Sequence, residues 1–272
     1  MRWAARLYPL VNISPFRALA WLAETRPCMS PETVANNLIQ SLAMSERSKL
    51  CALLEPWRGE PGSVIYEPGD DVQYAYFPVG ASMASFRIIL LDGGNVETGL
   101  VGREGAVGGI VSKGRLPAYA RAVVQFGSQF ARVRISHLER LKGDNPAIDS
   151  LFARYADCLM AQIFQSTACN ASHGIEQRAA KWLLAAADRT GDSSLSQTQE
   201  QLAGLLGVGR SYVNRLLQRF RNDGVLDLRR SMVIIKDEVA LKRLSCECNS
   251  SLRRHFEAVL RDVYPSDHDT TH

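Results

Sequence analysis

One helical surface in the C-terminal third of the chain carries most of the side chains that suit a polyanionic partner. Between residues 210 and 222 one side is apolar at helical spacing, through Val213, Leu216, Leu217 and Phe220. The opposite side carries Arg210, Ser211, Tyr212, Asn214, Arg215, Gln218, Arg219 and Arg221. No acid occurs there before Asp223, although exposed helices normally mix signs because Glu and Lys four residues apart stabilise each other. Arginine forks fit phosphate oxygens and the O6/N7 edge of guanine, so this face predicts DNA binding rather than an ordinary solvated surface.

A second set of residues has the chemistry of metal ligands. Cys246 and Cys248 form a Cys-x-Cys pair, while Cys169 and His173 stand four residues apart on a predicted helix, so each pair could face one ion. Nothing in the sequence brings the two pairs together. We therefore interpret them as packed thiols and one polar histidine, and predict neither a metal site nor a cofactor.

The basic face belongs to a predicted helix-turn-helix. Thr198 can cap the first helix, with Gln201 as the reciprocal partner of a capping box. That helix has an apolar face made of Leu202, Ala203, Leu205 and Leu206. Gly207-Val208-Gly209 then interrupts it as the turn of such a motif does.

A short β-hairpin is predicted directly after the second helix. Gly224 ends the helix, and the apolar runs 225–228 and 232–235 flank a basic tip, Arg229-Arg230. A hairpin in this position is the wing of a winged helix. Residues 196–245 hold nine Lys/Arg against five Asp/Glu, and this surplus of four equals the net charge of +4 of the whole chain. The excess charge therefore lies where a DNA-binding unit needs it.

Composition limits the class of protein. A chain of 272 residues with 46% hydrophobic and 22% charged residues is long enough for two globular domains. No apolar run approaches the roughly 18 residues of a membrane span, and the six cysteines are scattered, which favours reduced thiols in the cytoplasm. Nucleophile-elbow, Walker and HExxH motifs are missing, so the sequence gives an enzyme no support.

The N-terminal half predicts a β-roll (jelly roll) domain over residues 29–143, after an extension at 1–28 that resembles neither a good signal peptide nor a core element. Residues 34–54 have helical spacing, and Pro56 ends that helix. Short runs separated by turn signals then predict strands at Ser63–Tyr66, Gln73–Val79, Ala81–Leu90, Val96–Val101 and Ala120–Ile135.

A long helix is predicted over residues 144–172, with Asn145 as its cap and Pro146 at its first position. A roughly heptad seam along it predicts the interface of a parallel homodimer, through Ile148, Phe152, Tyr155, Leu159 and Ile163. Packing on its own β-roll alone is the alternative. Residues 173–264 form the winged helix-turn-helix domain, which includes a further helix at 176–189 and closing helices at 238–244 and 251–263. A polar tail at 265–272 follows.

This α+β order of β-roll, long helix and winged helix-turn-helix resembles the catabolite-activator (Crp/Fnr) family of bacterial transcription regulators over about residues 37–262. The helix-turn-helix carries the resemblance most strongly, through Thr198, Gln201, Leu202, Ala203, Leu206, Gly207, Val208, Arg210, Val213 and Arg215. The roll contributes the segments Tyr66–Gly69 and Tyr76–Pro78. The segments Gly99–Gly105 and Ala168–Arg178 are similar to a branch without a known nucleotide effector.

The resemblance implies roles for the DNA-binding residues. The arginine at Arg210 contacts DNA, and the one at Arg215 reads a base edge. Some members carry an acidic residue where this chain has Ser211, so their target sequence does not transfer. Beside the resemblance, the polar face of the helix-turn-helix and the wing predict DNA contacts at Thr198, Ser211, Tyr212, Asn214, Arg219, Arg221, Arg229 and Arg230.

The resemblance also implies that the effector pocket has lost its cyclic-nucleotide ligands. Gly109 stands where cyclic-nucleotide binders place the glutamate that holds the ribose, and Leu116 and Pro117 stand where an Arg-Ser pair holds the phosphate. Arg115 is one position off, and Arg121 belongs to the next strand.

Taken together, the sequence predicts a cytoplasmic, homodimeric, sequence-specific transcription regulator of the Crp/Fnr type that does not depend on cyclic AMP. Its partners are double-stranded DNA, a second copy and RNA polymerase, with no membrane. The alternative is a small-ligand or redox/metal-sensing module in which DNA binding is secondary.

Overall fold

The computed structural model describes most of the chain from Ser30 to Pro265, namely residues 30–31, 34–91, 93–111, 114 and 117–265. The expected extension at 1–28 and all but the first residue of the expected tail lie outside these residues. No helix in the described part of the chain is both long and apolar enough to cross a membrane.

Nine helices and ten strands are present in these residues. The helices are α1 (Asn37–Gln40), α2 (Met44–Cys51), α3 (Ile135–Asp144), α4 (Pro146–Ser172), α5 (Ile175–Thr190), α6 (Gln199–Leu206), α7 (Arg210–Asn222), α8 (Glu238–Leu244) and α9 (Cys248–Val259). The strands are β1 (Glu55–Arg58), β2 (Val64–Tyr66), β3 (Tyr74–Pro78), β4 (Met83–Ile89), β5 (Asn95–Val101), β6 (Arg121–Phe126), β7 (Gln129–Arg134), β8 (Ser194–Leu195), β9 (Leu226–Arg229) and β10 (Met232–Ile235). This arrangement confirms the predicted α+β class, with a β-rich domain, a long helix and a helix-turn-helix in that order.

Two antiparallel sheets form the N-terminal roll. One has the strand order β2-β6-β4-β5 and the other the order β1-β7-β3. The single strand expected at 120–135 is instead a hairpin, because the chain turns at Gly127. This residue has φ of +64°, and a Cβ there would lie 2.5 Å from the Ser82 hydroxyl. Pro56, expected to end a helix, lies within β1 at the edge of its sheet, where a missing N–H is tolerated.

The long helix packs into the core of its own roll. Asn145 does not cap it with its side chain, which donates to the Leu141 carbonyl, whereas Pro146 occupies the first turn as expected. The closing helix α9 packs against α4 in the same core, through Leu252 and Phe256. By its contacts, α9 therefore belongs to the N-terminal core as much as to the winged helix that precedes it.

This packing corrects the predicted dimer seam. Ile148, Phe152 and Tyr155 are at most 1% exposed, and the Tyr155 hydroxyl donates to the Ala106 carbonyl at 3.2 Å. Because these side chains fill the core of their own chain, they are not available to a second copy. Leu159 is half-buried beside the roll, and Ile163 alone among the predicted residues is exposed.

A buried ion pair joins the roll to the C-terminal half. Arg189 of α5 donates from Nε to Glu104 at 2.8 Å, and both side chains are 1% exposed. Its two other nitrogens donate to the Tyr264 hydroxyl at 2.8 Å and to the Gln162 side chain at 3.0 Å. A buried charge left without its partner is strongly unfavourable, so this network holds the two halves together.

Candidate DNA-binding surface

The helix-turn-helix has the local structure that its sequence predicts. The Thr198 hydroxyl accepts from the backbone N–H of Gln201 at 3.1 Å, and the Gln201 side chain accepts from the backbone N–H of Thr198 at 2.9 Å. This completes the capping box. Gly207 ends α6 in the left-handed region with φ of +68°, which redirects the chain into α7. Because the Thr198 hydroxyl is occupied by the cap, its first role is to fix the start of α6.

The recognition helix α7 divides cleanly into a buried and an exposed face. Its apolar side chains are at most 2% exposed, namely Val213, Leu216, Leu217 and Phe220. The exposed residues are Arg210, Ser211, Tyr212, Asn214, Arg215, Arg219 and Arg221. All the predicted contacts on this helix therefore point to solvent.

Three of the arginines on this surface have no ion-pair partner among the described residues. They are Arg210 and Arg221 on α7 and Arg230 at the wing tip. The guanidinium of Arg215 lies 6.0 Å from the centre of the Tyr212 ring, which orients it along the helix surface. These four guanidinium groups can turn to a phosphate or a base edge without losing a described carboxylate partner.

Three other predicted contacts already have partners. Arg219 donates to Glu176 of α5 at 2.6 Å, and Arg229 lies 3.4 Å from Asp227. Asn214 donates to the Gln199 side chain at 2.9 Å. Each of these must exchange a protein partner for a DNA partner in order to bind, which the sequence alone could not show.

The wing lies beside the start of the recognition helix. β9 and β10 pair antiparallel, with Arg229 opposite Met232, and β8 adds a third strand that the sequence prediction missed. Ser231 turns the hairpin with φ of +57°. Together with Thr198 and Arg210, the tip residues Arg229 and Arg230 line one groove. The structure therefore brings the basic tip of the wing and Arg210, the first residue of α7, to the same groove.

The roll contains an apolar cavity of about 570 Å³. Its described lining carries no charged side chain, and Gly109 and Pro117 form part of the wall. Leu116 and Arg115 lie outside the described residues. Arg121 does not line the cavity, because it is paired with Glu67 at 2.6 Å.

The two Cys/His pairs lie together in the fold. The ligand atoms of Cys169, His173, Cys246 and Cys248 are all within 4.8 Å of one another. Burial raises the pKa of the Cys246 thiol, and raises that of Cys248 to about 12. The sequence interpretation missed this cluster because its two halves are more than 70 residues apart. Only the Cys-x-Cys spacing and the Cys-x-x-x-His spacing signalled it.

Comparisons with known proteins agree with this surface. Residues 177–244 match the Crp-like helix-turn-helix domain family. The transcriptional regulatory protein btr of Bordetella pertussis is 25% identical, over 74% of this chain and 85% of that protein.

Solved structures agree with the fold. FixK2 from Bradyrhizobium japonicum superposes with a TM-score of 0.61 and 16% identity, covering 71% of this chain and 98% of that chain. CLP of Xanthomonas campestris, a c-di-GMP responsive global regulator, superposes with a TM-score of 0.59 and 17% identity, covering 72% of this chain and 100% of that chain.

Proposed function

We propose that this Crp/Fnr-type transcriptional regulator recognises a specific double-stranded DNA sequence as a homodimer, and that it does so without cyclic AMP. It acts on DNA in the cytoplasm, as a regulator with RNA polymerase as a further partner rather than as an enzyme. The observation that carries the proposal is the outward face of α7, on which every charged side chain is an arginine.

The positions of the arginines on α7 and on the wing support a role for each. In a helix-turn-helix, the N-terminal residues of the recognition helix meet base edges while its flanks meet phosphates. Arg215 reads a base, consistent with its position in the Crp-like domain. Arg210, at the first residue of α7, contacts a base or the adjacent phosphate. Arg221 and Arg230 contact phosphates on either side.

Substitution of one base-reading and one phosphate-binding arginine tests this assignment. Arg215→Ala should cost about 1–3 kcal/mol on a DNA site selected from a random pool and little on random DNA. Arg230→Ala should weaken binding to both DNAs alike and lower the salt slope by about one unit. Both side chains are exposed, so both variants should unfold at the wild-type temperature. Equal weakening of specific and random DNA by Arg215→Ala would make Arg215 a phosphate contact.

Independence from cyclic AMP is supported by the cavity in the roll. A cyclic nucleotide needs a cationic partner for its phosphate, and the described wall of the cavity carries no charged side chain. Titration calorimetry with cyclic AMP and cyclic GMP should show no saturable heat up to about a millimolar, equivalent to about −4 kcal/mol. A micromolar Kd for either nucleotide would overturn this part of the proposal.

The homodimer is supported by a different stripe of α4 from the one that the sequence predicted. Met160 and Phe164 are 48% and 65% exposed on α4, whereas Ile163, the last residue of the predicted seam, lines the cavity of the roll. Large apolar side chains that stay exposed in one chain are typical of an interface. A parallel pair of α4 helices also presents two recognition helices to a two-fold symmetric DNA site.

A ligand-binding role for the roll is the second candidate, and the cavity favours it. Its volume lies within the range of about 300–1,000 Å³ that is usual for small-ligand sites. The apolar wall selects an apolar molecule. Native mass spectrometry of the purified protein should then show a bound small molecule that is lost when the cavity is filled, for example by Ala120→Phe. If protein with no small molecule in the cavity binds specific DNA as tightly as protein with the molecule bound, this role is wrong.

A further inference from the structure

The cysteine–histidine cluster lies where three segments of the chain meet. Cys169 is in the last turn of α4, and His173 directly follows that helix. Cys246 lies between α8 and α9, and Cys248 is the first residue of α9. The cluster therefore joins the α4–α5 junction to the α8–α9 connection.

Two of the six distances between ligand atoms match a single tetrahedral ion, and all six are within 4.8 Å. Zinc lies about 2.3 Å from cysteine sulfur and about 2.0–2.1 Å from histidine nitrogen. Tetrahedral angles then require about 3.8 Å between two sulfurs and about 3.6 Å between sulfur and nitrogen. The Sγ atoms of Cys169 and Cys246 are 3.7 Å apart, and Cys248 Sγ is 3.5 Å from His173 Nδ1. Both separations agree with zinc to within about 0.1 Å.

A disulfide, an iron cluster and simple apolar packing each fit the geometry less well than zinc does. A disulfide joins two sulfurs at about 2.0 Å and leaves the third cysteine and the histidine without a role. A cluster of several irons holds its ligands further apart, because each ligand binds a different iron. Apolar packing is also a poor account, because the three buried cysteines form a group of their own, separate from the aliphatic and aromatic core.

The residues around the cluster complete a metal site. The Nδ1 atom of His173 faces the sulfurs, while its Nε2 lies 3.5 Å from the Glu247 carboxylate. A carboxylate in that position orients a ligating histidine and fixes its tautomer. Gln165 donates from its side-chain nitrogen to Cys248 Sγ at 3.1 Å, which suits a sulfur that carries negative charge.

We propose that Cys169, His173, Cys246 and Cys248 bind one Zn²⁺ ion in a closed tetrahedral site. On binding, the three thiols release their protons to solvent and ligate as thiolates, and the histidine ligates through neutral Nδ1. All four positions are filled by protein, which is typical of a structural rather than a catalytic zinc site.

The ion has a mechanical consequence for the regulator. Only His173 and Gly174 separate α4 from α5, so the junction that orients the winged helix relative to the long helix is short. A zinc ion fixes this junction by anchoring it to the start of α9, which packs against α4. This consequence rests on the proposed function, whereas zinc binding itself does not.

Metal analysis of the full-length protein tests the proposal. Protein purified without chelator should contain about one zinc per chain by inductively coupled plasma mass spectrometry. Titration with an organomercurial should release the zinc in step with three thiols. Protein reloaded with Co²⁺ should show the visible bands of a tetrahedral ion with thiolate ligands. These measurements need no DNA, so failure of the DNA-binding proposal would not affect them.

Ligand substitutions locate the site. Cys169→Ser and Cys248→Ser should lose most of the zinc, whereas His173→Cys should retain it, because four thiolates are also a zinc set. Its Co²⁺ form should show stronger sulfur-to-metal absorption. Cys51→Ala and Cys158→Ala are matched controls, since both cysteines are buried outside the cluster, and they should keep the zinc.

Several results would overturn the proposal. These are wild-type protein with neither zinc nor a tetrahedral Co²⁺ spectrum, an iron chromophore in place of zinc, and an intact mass showing a disulfide among these cysteines. Zinc that persists equally in the serine variants would place the ion elsewhere. If the serine variants do not fold, the organomercurial titration of the wild-type protein still tests the proposal, because it measures whether zinc is released together with three thiols.

Discussion

The recognition helix α7 and the long helix α4 are both amphipathic in sequence, but they differ in how many apolar faces they have. On α7 the large aliphatic and phenyl side chains lie on one stripe, and all of these are buried. On α4 there are two stripes, an inward one that includes Phe152 and an outward one that includes Phe164. A single stripe fixes the orientation of a helix, whereas two stripes leave it open.

The physical reason is that helical periodicity reports which residues share a face, and not what covers that face. For α7 the opposite side is strongly basic, so only one side can enter a core. For α4 either stripe could pack on the roll or on a second chain. The first four predicted seam residues pack against the roll because α4 lies over it. The position of α4 depends on the tertiary structure and could not be read from helical periodicity.

The largest expected effect comes from a charge on the inward stripe of α4. Phe152 is fully buried, and its ring centre lies 6.1 Å from that of Phe77. Phe152→Glu removes this packing and buries a carboxylate, so it should lower the free energy of unfolding by at least about 4 kcal/mol, measured by urea denaturation. Phe152→Leu is the matched control and should cost about 1–2 kcal/mol. A Glu variant as stable as the Leu variant would mean that this stripe is not in the core.

The second expected effect separates association from folding. Phe164 is 65% exposed, so Phe164→Glu should leave the stability of the monomer within about 0.5 kcal/mol of wild type. It should weaken the dimer by at least about 100-fold, because it places two carboxylates in one apolar interface. Sedimentation velocity over a range of concentrations measures this change. Ser150→Glu, at an exposed position nearer the start of α4, is the control.

Two results would contradict this comparison of the stripes. One is a wild-type protein that remains a monomer at tens of micromolar. The other is a Phe164→Glu variant that dimerises like the wild type, which would place the interface away from α4.

The contrast between α7 and α4 also explains which parts of the fold and of the site could be predicted from the sequence. The helix-turn-helix was predictable because its signals are local: the capping box at Thr198 and Gln201, the left-handed glycine at 207 and one basic face. Four of the five predicted strands of the roll correspond to observed strands, whereas the fifth is the hairpin of β6 and β7, and β1 and α3 were missed. The metal cluster was not predictable, because it depends on how α9 returns to α4. The cavity wall, likewise, is set by tertiary packing.

The third expected effect concerns the joint between the two halves, where β5 meets α5. Glu97 accepts from the Trp182 ring N–H at 2.8 Å, and its other oxygen has no described partner. Burial raises the pKa of this carboxyl to about 7, although Trp182 and the charges of Arg87, Lys181 and Arg189 act in the opposite direction. The folded protein therefore holds a proton that the unfolded chain releases near its ordinary pKa of 4.5.

This pKa gives a definite pH dependence. Its stabilising contribution is fully present below about pH 4.5, and it is lost as the pH rises to about 7, because the unfolded chain binds fewer protons over that range. The loss should amount to roughly 1–3 kcal/mol. Glu97→Gln keeps an acceptor for Trp182 but cannot ionise, so its stability relative to wild type should rise between pH 5 and pH 8. A difference in unfolding free energy that does not change with pH would show that Glu97 titrates normally.

The smallest expected effect separates two arginines that are alike in sequence. Arg219 is paired with Glu176, whereas Arg221 has no ion-pair partner among the described residues. A phosphate contact by Arg219 must replace a carboxylate contact, so its net gain is smaller. Arg219→Ala should therefore weaken binding to random DNA by less than about 0.5 kcal/mol, and Arg221→Ala by about 1 kcal/mol. Fluorescence anisotropy at several salt concentrations measures both.

Removal of the carboxylate tests the reason for this difference. Glu176→Gln frees Arg219 without changing the recognition helix, so random DNA should bind more tightly and the salt slope should steepen by up to about one unit. Combining it with Arg219→Ala should abolish that gain, because the two residues are coupled through one ion pair. If Glu176→Gln has the same effect with and without Arg219, the gain comes from the lost negative charge alone. The ion pair would then have no part in setting how α7 binds.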